Sequence, residues 1–142
     1  MDRDLLFRNF VHFMANVHQI TNDMTKDAKT EEITPVQYKI LEYITVSQSV
    51  TITEISDCLH VSLPNTSREL RKLIEKNLCK KVSDESDRRK YYIQLTDKGN
   101  VLMQEAFKKI QLQFEERIKH LTDEELTEIN KAVEVLQQKI FS

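Results

Sequence analysis

Hydrophobic residues recur at helical spacing near both ends of the chain. Steps of three and four residues place such side chains on one face of a helix, so three long amphipathic helices are predicted there. A capping-box sequence, Thr122 to Glu125, separates the last two helices. The three apolar seams are, in chain order, Leu6, Phe10, Phe13, Val17, Ile20 and Met24; Leu102, Ala106, Ile110, Phe114, Ile118 and Leu121; and Leu126, Ile129, Val133, Leu136 and Ile140.

Two further helix starts follow a charged break at Lys26 to Glu32. Thr34, Pro35 and Gln37 supply an N-cap, a first-turn proline and a capping-box side chain. The helix they begin is expected to carry Val36, Ile40, Leu41 and Ile44 inside. A second capping box, Thr51 to Glu54, predicts a short helix with Ile52, Ile55 and Leu59 inside, ending near His60 and Val61.

A third short helix begins only three or four residues later. Ser62 is a good N-cap and Pro64 fits the first turn, while Leu63, Leu70, Leu73 and Ile74 fall on one face. Two helices joined by so tight a turn form a helix-turn-helix, whose second helix enters the major groove of DNA. The amide, hydroxyl and guanidinium groups of its outer face are those that read base edges and phosphates. The predicted contacts are Ser62, Pro64, Asn65, Thr66, Arg68, Arg71 and Lys72.

Two observations leave another interpretation open at this point. The turn lacks the common glycine, and short amphipathic helix pairs also occur in proteins that never bind DNA.

A β-hairpin is predicted directly after this helix pair. Lys80 to Ser83 and Tyr91 to Leu95 are rich in β-branched and aromatic residues, and a charged run, 84–90, lies between them. A hairpin at this position is a wing, and an arginine at a wing tip can enter the narrow, electronegative minor groove. The predicted wing contacts are Asp87, Arg88, Arg89 and Lys90. A solvated charged loop would produce the same pattern.

These residues resemble the MarR family of transcriptional regulators. The resemblance lies in Asp87-Arg88-Arg89, followed after a short strand by Leu95-Thr96-Asp97-Lys98-Gly99. Asn77-Leu78 stands where the family usually has Gly-Leu, a mild departure, since asparagine tolerates a left-handed helix end. By this resemblance Arg89 aligns with the family's minor-groove arginine, and we expect Asp87 to orient its guanidinium.

The resemblance also implies a fold and an assembly. The fold is mainly α with a small β-hairpin wing, a winged helix-turn-helix flanked by long N- and C-terminal dimerisation helices. All of 1–142 forms one such domain, with the helix-turn-helix at about 51–74, the wing at about 79–95 and dimerisation helices at about 3–28 and 97–141. The assembly is a homodimeric repressor on double-stranded DNA with a pseudo-palindromic operator. A small aromatic or phenolic effector would release it, and Tyr38, His12 and Phe107 are candidate pocket residues.

Charge is distributed as a DNA-binding surface requires. The chain has a net charge of −2, yet residues 62–92 contain nine basic and five acidic side chains, a local +4 that leaves −6 elsewhere. Positive charge therefore gathers on the face expected to neutralise phosphates.

The apolar seams exceed what the winged centre can cover, which predicts a subunit interface. A monomeric helical bundle remains the alternative. The interface is expected to contain Leu6, Phe10, Phe13, Ile118, Leu126, Ile129, Val133, Leu136 and Ile140.

Other chemistry is sparse in the sequence. Cys58 and Cys79 form no Cys-x-x-Cys pair and are expected to be small buried residues, with a redox switch as the less favoured reading. The four histidines lack metal-ligand spacing, and no phosphate loop or nucleophile elbow occurs. We therefore expect a cytoplasmic DNA-binding regulator with no metal, no cofactor, no membrane span and no catalytic residue. The competing function is a helical protein-interaction adaptor whose basic wing binds an acidic partner.

Overall fold

The computed structural model describes residues 1–26 and 32–142, and within them the chain forms six helices and one β-hairpin. The predicted mainly helical fold with a hairpin wing is confirmed. The predicted end of the first helix near residue 28, and most of the charged break at Lys26 to Glu32, lie outside the described residues. The elements are α1 (Arg3–Thr25), α2 (Pro35–Ser47), α3 (Ile52–Leu59), α4 (Leu63–Glu75), β1 (Cys79–Ser83), β2 (Tyr91–Leu95), α5 (Asp97–Ile118) and α6 (Asp123–Lys139).

Two compact units divide the chain, Met1–Ile110 and Gln111–Ser142. The first contains the helix pair and the hairpin, and the second contains the end of α5 and all of α6. In the second unit the predicted capping box at Thr122 is present. Thr122 Oγ1 accepts from the Glu125 N–H at 3.2 Å, and Glu125 Oε1 accepts from the Thr122 N–H at 3.1 Å.

The core of the first unit collects apolar side chains from all of its central elements. Ile40, Leu41 and Ile44 of α2 are buried, as are Ile55 of α3 and Leu73 of α4. Burial of each such side chain contributes about 1.5–3 kcal/mol, and this common core holds the helix pair against the hairpin. The remaining buried apolar members are Ile33, Tyr38, Val50, Leu70, Leu78, Cys79, Ile93, Leu95, Met103 and Ala106.

Two side chains that were predicted to face inward are exposed. Leu63 is 48% exposed and Val36 is 39% exposed. Leu63 shares a helix face with Leu70 and Leu73, but it is the first residue of α4 and lies beyond the part of that face that the core covers. Val36 lies beside, rather than on, the face of α2 that buries Gln37, Leu41 and Ile44.

A third extended segment, missed in the sequence, pairs with the hairpin. Val50 donates to the Ile93 carbonyl at 3.2 Å and accepts from the Ile93 N–H at 2.6 Å, which forms an antiparallel bridge. Both side chains are buried. The bridge fixes the start of α3 to β2, so the helix pair and the wing share a backbone connection.

Thr96 connects the end of α4 to the start of α5. Its hydroxyl donates to the Asn77 carbonyl at 2.6 Å and accepts from the Gly99 N–H at 3.0 Å, while its own N–H donates to the Leu78 carbonyl at 3.0 Å. Thr96 therefore caps α5 and at the same time contacts the end of α4. Among the described residues, no helix combines the length and apolarity needed to cross a bilayer.

Candidate nucleic-acid interface

The helix-turn-helix is built as the sequence predicts, with α3 followed by α4 after three residues. Thr51 supplies one of the two capping-box bonds, accepting from the Glu54 N–H at 3.2 Å. The turn contains no glycine. His60 takes the left-handed conformation that a glycine often supplies, with φ of 53°. Ser56 stabilises the turn by donating from its hydroxyl to the Val61 carbonyl at 2.5 Å.

Helix α4 presents polar and cationic side chains to solvent. Ser62 caps it by accepting from the Asn65 N–H at 3.3 Å, and Pro64 lies in its first turn. The predicted contact residues that the structure leaves exposed are Ser62, Pro64, Asn65, Arg68, Arg71 and Lys72. Asn65, Arg68 and Lys72 follow one another at three and four residues, so they occupy one helix face.

The expected outward orientation of Thr66 is wrong. Its side chain is 1% exposed, and its hydroxyl donates to the Ser62 carbonyl at 3.0 Å. The reason is helical geometry, because Thr66 precedes the buried Leu70 and Leu73 by four and seven residues and so lies on the same face. In this conformation Thr66 has no surface available to a base edge.

The end of α4 follows the prediction made for Asn77. This residue has φ of 60°, and its N–H donates to the Ile74 carbonyl at 2.9 Å. The next N–H, of Leu78, donates to the Leu73 carbonyl at 2.9 Å, which completes a Schellman motif. Asparagine thus does what glycine does in the usual family sequence, and β1 begins directly afterwards.

The wing is a five-residue antiparallel ladder that runs from the Cys79–Leu95 pair to the Ser83–Tyr91 pair. Beyond the ladder the Asp84 N–H donates to the Lys90 carbonyl at 3.0 Å. The Asp84 carboxylate accepts from the Ser86 N–H at 2.9 Å and its hydroxyl at 2.7 Å, and these bonds hold the pKa of Asp84 below its usual value. The predicted wing residues, Asp87, Arg88, Arg89 and Lys90, are all exposed.

Asp87 acts on the backbone of the tip rather than on the guanidinium of Arg89. Its carboxylate accepts from the Arg89 N–H at 3.0 Å, and its carbonyl accepts from the Lys90 N–H at 3.0 Å. This arrangement is an Asx-type turn, in which a short acidic side chain replaces a backbone acceptor. The expected Asp87–guanidinium bond is thus replaced by one that shapes the loop carrying Arg89.

The structure brings the wing next to the first turn of α3, a proximity that the sequence did not indicate. Thr51, Thr53 and Glu54 line a groove of about 480 Å³ together with Arg89 and Lys90. Thr53 is exposed there and is a candidate contact that sequence reasoning missed. The helix N-terminus and the two cationic side chains favour phosphate oxygens there, while the Glu54 carboxylate in the same groove opposes them.

A second cavity, of about 540 Å³, lies between α4 and the hairpin. Ser67 and Arg71 line it from the helix, and Lys80, Lys81 and Tyr91 line it from the strands. The Lys81 ammonium stands 4.7 Å from the centre of the Tyr91 ring, a cation–π contact. The positive charge of the wing thus extends along β1 to the edge of α4.

The two cysteines differ from the expectation that both are buried. Cys79 is buried, which raises the pKa of its thiol to about 12 and keeps it protonated near neutral pH. Cys58 is exposed, since it follows the buried Ile55 by three residues but lies at the edge of the face that α3 buries. No three histidine, cysteine or acidic side chains among residues 1–26 and 32–142 are placed to hold a metal ion.

The predicted interface residues lie on helices that bury few of their own side chains. No described residue of α6 is buried, and Thr25 is the one buried residue of α1. In the first unit Leu6 and Phe13 are exposed and Phe10 is half-buried. In the second unit the exposed members are Ile129, Val133 and Ile140, and the half-buried ones are Ile118, Leu126 and Leu136.

Comparison with known proteins agrees with this geometry. Residues 33–91 match the MarR family. The HTH-type transcriptional regulator TcaR of Staphylococcus aureus (strain Newman) is 30% identical over 131 residues, covering 90% of this chain and 86% of TcaR. The solved structure of a MarR family protein from Bacillus stearothermophilus aligns with a TM-score of 0.78 at 21% identity, covering 100% of this chain and 99% of that one.

A mutant of MarR from E. coli complexed with operator DNA aligns with a TM-score of 0.59 at 21% identity, covering 92% of this chain and 97% of that one. The solved structures show the fold, and the sequence match to TcaR extends through nearly the whole chain. Taken with the helix pair and wing described above, these similarities show that the chain belongs to the MarR family of DNA-binding transcriptional regulators.

Proposed function

We propose that a homodimer of this chain binds a pseudo-palindromic operator and represses transcription by blocking polymerase. Each subunit would place α4 in a major groove and its wing in the flanking minor groove. The observation that carries the proposal is the groove in which the wing cations Arg89 and Lys90 lie beside the first turn of α3. One continuous surface then offers N–H groups and positive charge to the same phosphates.

The exposed face of α4 supports two kinds of contact within that surface, one with base edges and one with phosphates. Asn65 and Arg68 lie in the first turns, where a recognition helix meets base edges. Lys72 stands 3.6 Å from Glu69 and retains an exposed ammonium suited to a phosphate. The Glu69 carboxylate partly neutralises the Lys72 ammonium. We assign Lys72 to a phosphate contact, which positions the protein on DNA and does not read sequence. The MarR neighbour complexed with operator DNA supports operator DNA as the ligand of this chain.

The salt dependence of DNA binding tests the proposal. Affinity for duplex DNA should fall steeply between 50 and 200 mM salt, roughly by 10³-fold or more if six or more phosphates are contacted. The affinity is measured by fluorescence anisotropy on a labelled duplex selected from a random pool. A protein-interaction adaptor would show no such slope on duplex DNA, and the family membership does not favour that alternative.

We also propose that a small phenolic or aromatic effector releases the DNA, with Tyr38 as its polar contact. Tyr38 is 3% exposed and its hydroxyl makes no hydrogen bond of ordinary geometry among the described residues, although it interacts with the Glu42 carboxylate. Burial and the charge of Glu42 raise the pKa of Tyr38, so its hydroxyl remains a donor. Phe107 is half-buried against the core, and His12 is exposed on α1.

Addition of a simple phenol should release the operator from the wild-type protein and do so less readily from Tyr38→Phe. Equal release from both proteins would remove Tyr38 from the effector site.

Such a regulator would act in the cytoplasm, where bacterial DNA lies.

A further inference from the structure

The buried amide of Gln37 joins α2 to the recognition helix α4. Gln37 is 1% exposed, and its amide nitrogen donates to Glu69 Oε2 on α4 at 2.9 Å. Its amide oxygen accepts from the Thr34 N–H at 3.2 Å and from the Lys76 ammonium at 3.0 Å. One side chain thus closes the cap of α2 and holds α4 at two points along its length.

Lys76 strengthens this connection at the end of α4. Its ammonium donates to the Glu32 carbonyl at 2.5 Å as well as to Gln37. The N-terminus of α2 is therefore bonded to Glu69 in the middle of α4 and to Lys76 at its C-cap. Two contacts separated by seven residues, about two helical turns, define a direction along the helix.

Directional bonds supply a constraint that the apolar core does not. Leu70 and Leu73 hold α4 against the core, but apolar contacts are non-directional and permit small rotations about the helix axis. The bond from Gln37 to Glu69 fixes that rotation, since an amide at 1% exposure has no water to replace a lost partner. Glu69 lies between the predicted base contact Arg68 and the predicted phosphate contact Lys72.

The same carboxylate also holds a DNA-facing cation. Glu69 Oε1 lies 3.6 Å from the Lys72 ammonium, and the Glu69 side chain is 20% exposed compared with 51% for Lys72. Gln37 thereby turns the one acidic group in the middle of α4 toward the protein and away from the phosphates. A rotation of α4 would move Asn65, Arg68 and Arg71 together and would release this charge toward the DNA.

We propose that Gln37 is a positioning residue for operator recognition, and that its buried bond to Glu69 sets the rotation of α4. The inference rests on the proposed DNA-binding function. Gln37 does not touch DNA in this scheme. It acts through Glu69, so its loss should affect the reading of sequence more than the general attraction of the protein to DNA.

The variant Gln37→Glu separates the two roles of this side chain. A glutamate still accepts from the Thr34 N–H and from Lys76, because both bonds use an oxygen. In its ionised form, which the Lys76 ammonium favours, it cannot donate to Glu69, and it places a second carboxylate where the amide nitrogen stood. Operator affinity should fall by about tenfold or more, while affinity for a scrambled duplex should change by less than about threefold.

Exchanging the two residues restores the bond in the opposite sense. In Gln37→Glu with Glu69→Gln, the glutamine on α4 donates to the glutamate on α2, and the net charge equals that of the wild type. We expect operator affinity to return to within about threefold of the wild-type value, as coupled residues in a double-mutant cycle do. Gln104→Glu, the same change at an exposed position of α5, is the matched control and should leave both affinities unchanged.

The affinities are measured by anisotropy on the duplex that the wild-type protein selects and on a scrambled duplex, with thermal melts of each variant alongside. Unchanged operator affinity in Gln37→Glu would overturn the inference, as would an equal loss on both duplexes or a loss that the exchange does not restore. If Gln37→Glu alone fails to fold, the double variant Gln37→Glu with Glu69→Gln tests the inference. A double variant that folds and binds the operator supports it, and one that folds without binding overturns it. A wild-type protein that selects no sequence would overturn the proposed function, and this inference with it.

Discussion

Within residues 1–26 and 32–142, positive backbone φ angles occur at three residues other than glycine, each just after a helix: Gln48, His60 and Asn77. Asparagine, and histidine to a lesser degree, enter this region more readily than most side chains, whereas glutamine does so at a greater steric cost. Asn77 was predictable because a helix plainly ends there. Gln48 and His60 were not, since their conformations follow from the connections that α2 and α3 must make.

The single glycine of the chain is used for close contact rather than for a turn. A Cβ atom at Gly99 would lie 2.2 Å from the Leu78 carbonyl oxygen, well inside van der Waals contact. The start of α5 therefore lies directly against the backbone that follows α4. This contact explains why a residue that is unfavourable in helices stands in the first turn of α5.

Replacing Gly99 by alanine should destabilise the protein by up to about 2 kcal/mol. The gain in helix propensity is about 1 kcal/mol, but the clash with a backbone carbonyl forces a shift of α5 that outweighs it. Urea unfolding of Gly99→Ala and of Asn100→Ala, an exposed neighbour, gives the comparison. Stability of Gly99→Ala equal to or above the wild-type value would mean that α5 moves away from Leu78 without cost.

At the scale of elements, the wing has a defined tip because side chains and backbone close it together. The bonds around Asp84 and Asp87 order the loop between β1 and β2, and none of them uses the guanidinium of Arg89. The exposed Arg89 side chain is therefore available to a ligand. Its predicted entry into the minor groove remains a prediction.

Arg89→Ala should weaken operator binding by about 1–3 kcal/mol with the fold intact, because it removes one cation from the narrow groove. Glu85→Ala is the control, since it also truncates an exposed wing residue but removes no positive charge. Anisotropy titrations and thermal melts of the two variants give the comparison. An unaltered affinity in Arg89→Ala would show that the wing does not contribute to binding.

Within α4, replacing Arg68 should change the DNA sequence that is preferred, whereas replacing Lys72 should change only the affinity. Site selection with Arg68→Ala should yield a relaxed or altered consensus, because Arg68 is assigned to base edges. Lys72→Ala should lower affinity almost uniformly across sequences and reduce the salt slope by about one. Sequencing of the selected pools and salt titrations separate the two effects. Identical consensus sequences for wild type and Arg68→Ala would exclude Arg68 from base readout.

At the scale of the whole molecule, large apolar side chains are exposed on the terminal helices. Ile129 and Val133 of α6 are 45% and 46% exposed, and Phe7 of α1 is 66% exposed. Monomeric soluble proteins seldom expose apolar seams of this length, which supports the proposed interface between two copies. A self-contained bundle would instead bury most of these positions.

Placing a charge in the apolar seam of α6 should therefore cause the dimer to dissociate and the subunits to unfold in one coupled transition. Leu136→Asp or Ile129→Lys should make thermal stability lower and more dependent on concentration, and should abolish operator binding without altering a DNA-facing residue. Gln137→Asp, at an exposed polar position of α6, is the matched control. Sedimentation equilibrium that shows a stable wild-type monomer at roughly micromolar concentration would contradict the dimer and favour the self-contained bundle.

Local chemistry in the sequence was sufficient to predict the elements. Caps at Thr34, Ser62 and Thr122 use bonds within three residues, and apolar spacing along a helix or strand is read directly from the chain. The Asp-Arg-Arg wing motif likewise lies in one short segment. The caps depend on neighbours in sequence, which is why they were predicted correctly, whereas the role of the wing motif in DNA binding stays a prediction.

Tertiary structure decided the features that depend on distant partners. Thr66 turns inward because the core covers its face of α4. The sequence predicts only a cap at Gln37, because Glu69 lies 32 residues further along the chain. The bridge from Val50 to Ile93 and the contact of Gly99 with Leu78 are of the same kind. Burial and hydrogen bonding between such residues arise only when the helices and strands pack, so spacing along the chain does not specify them.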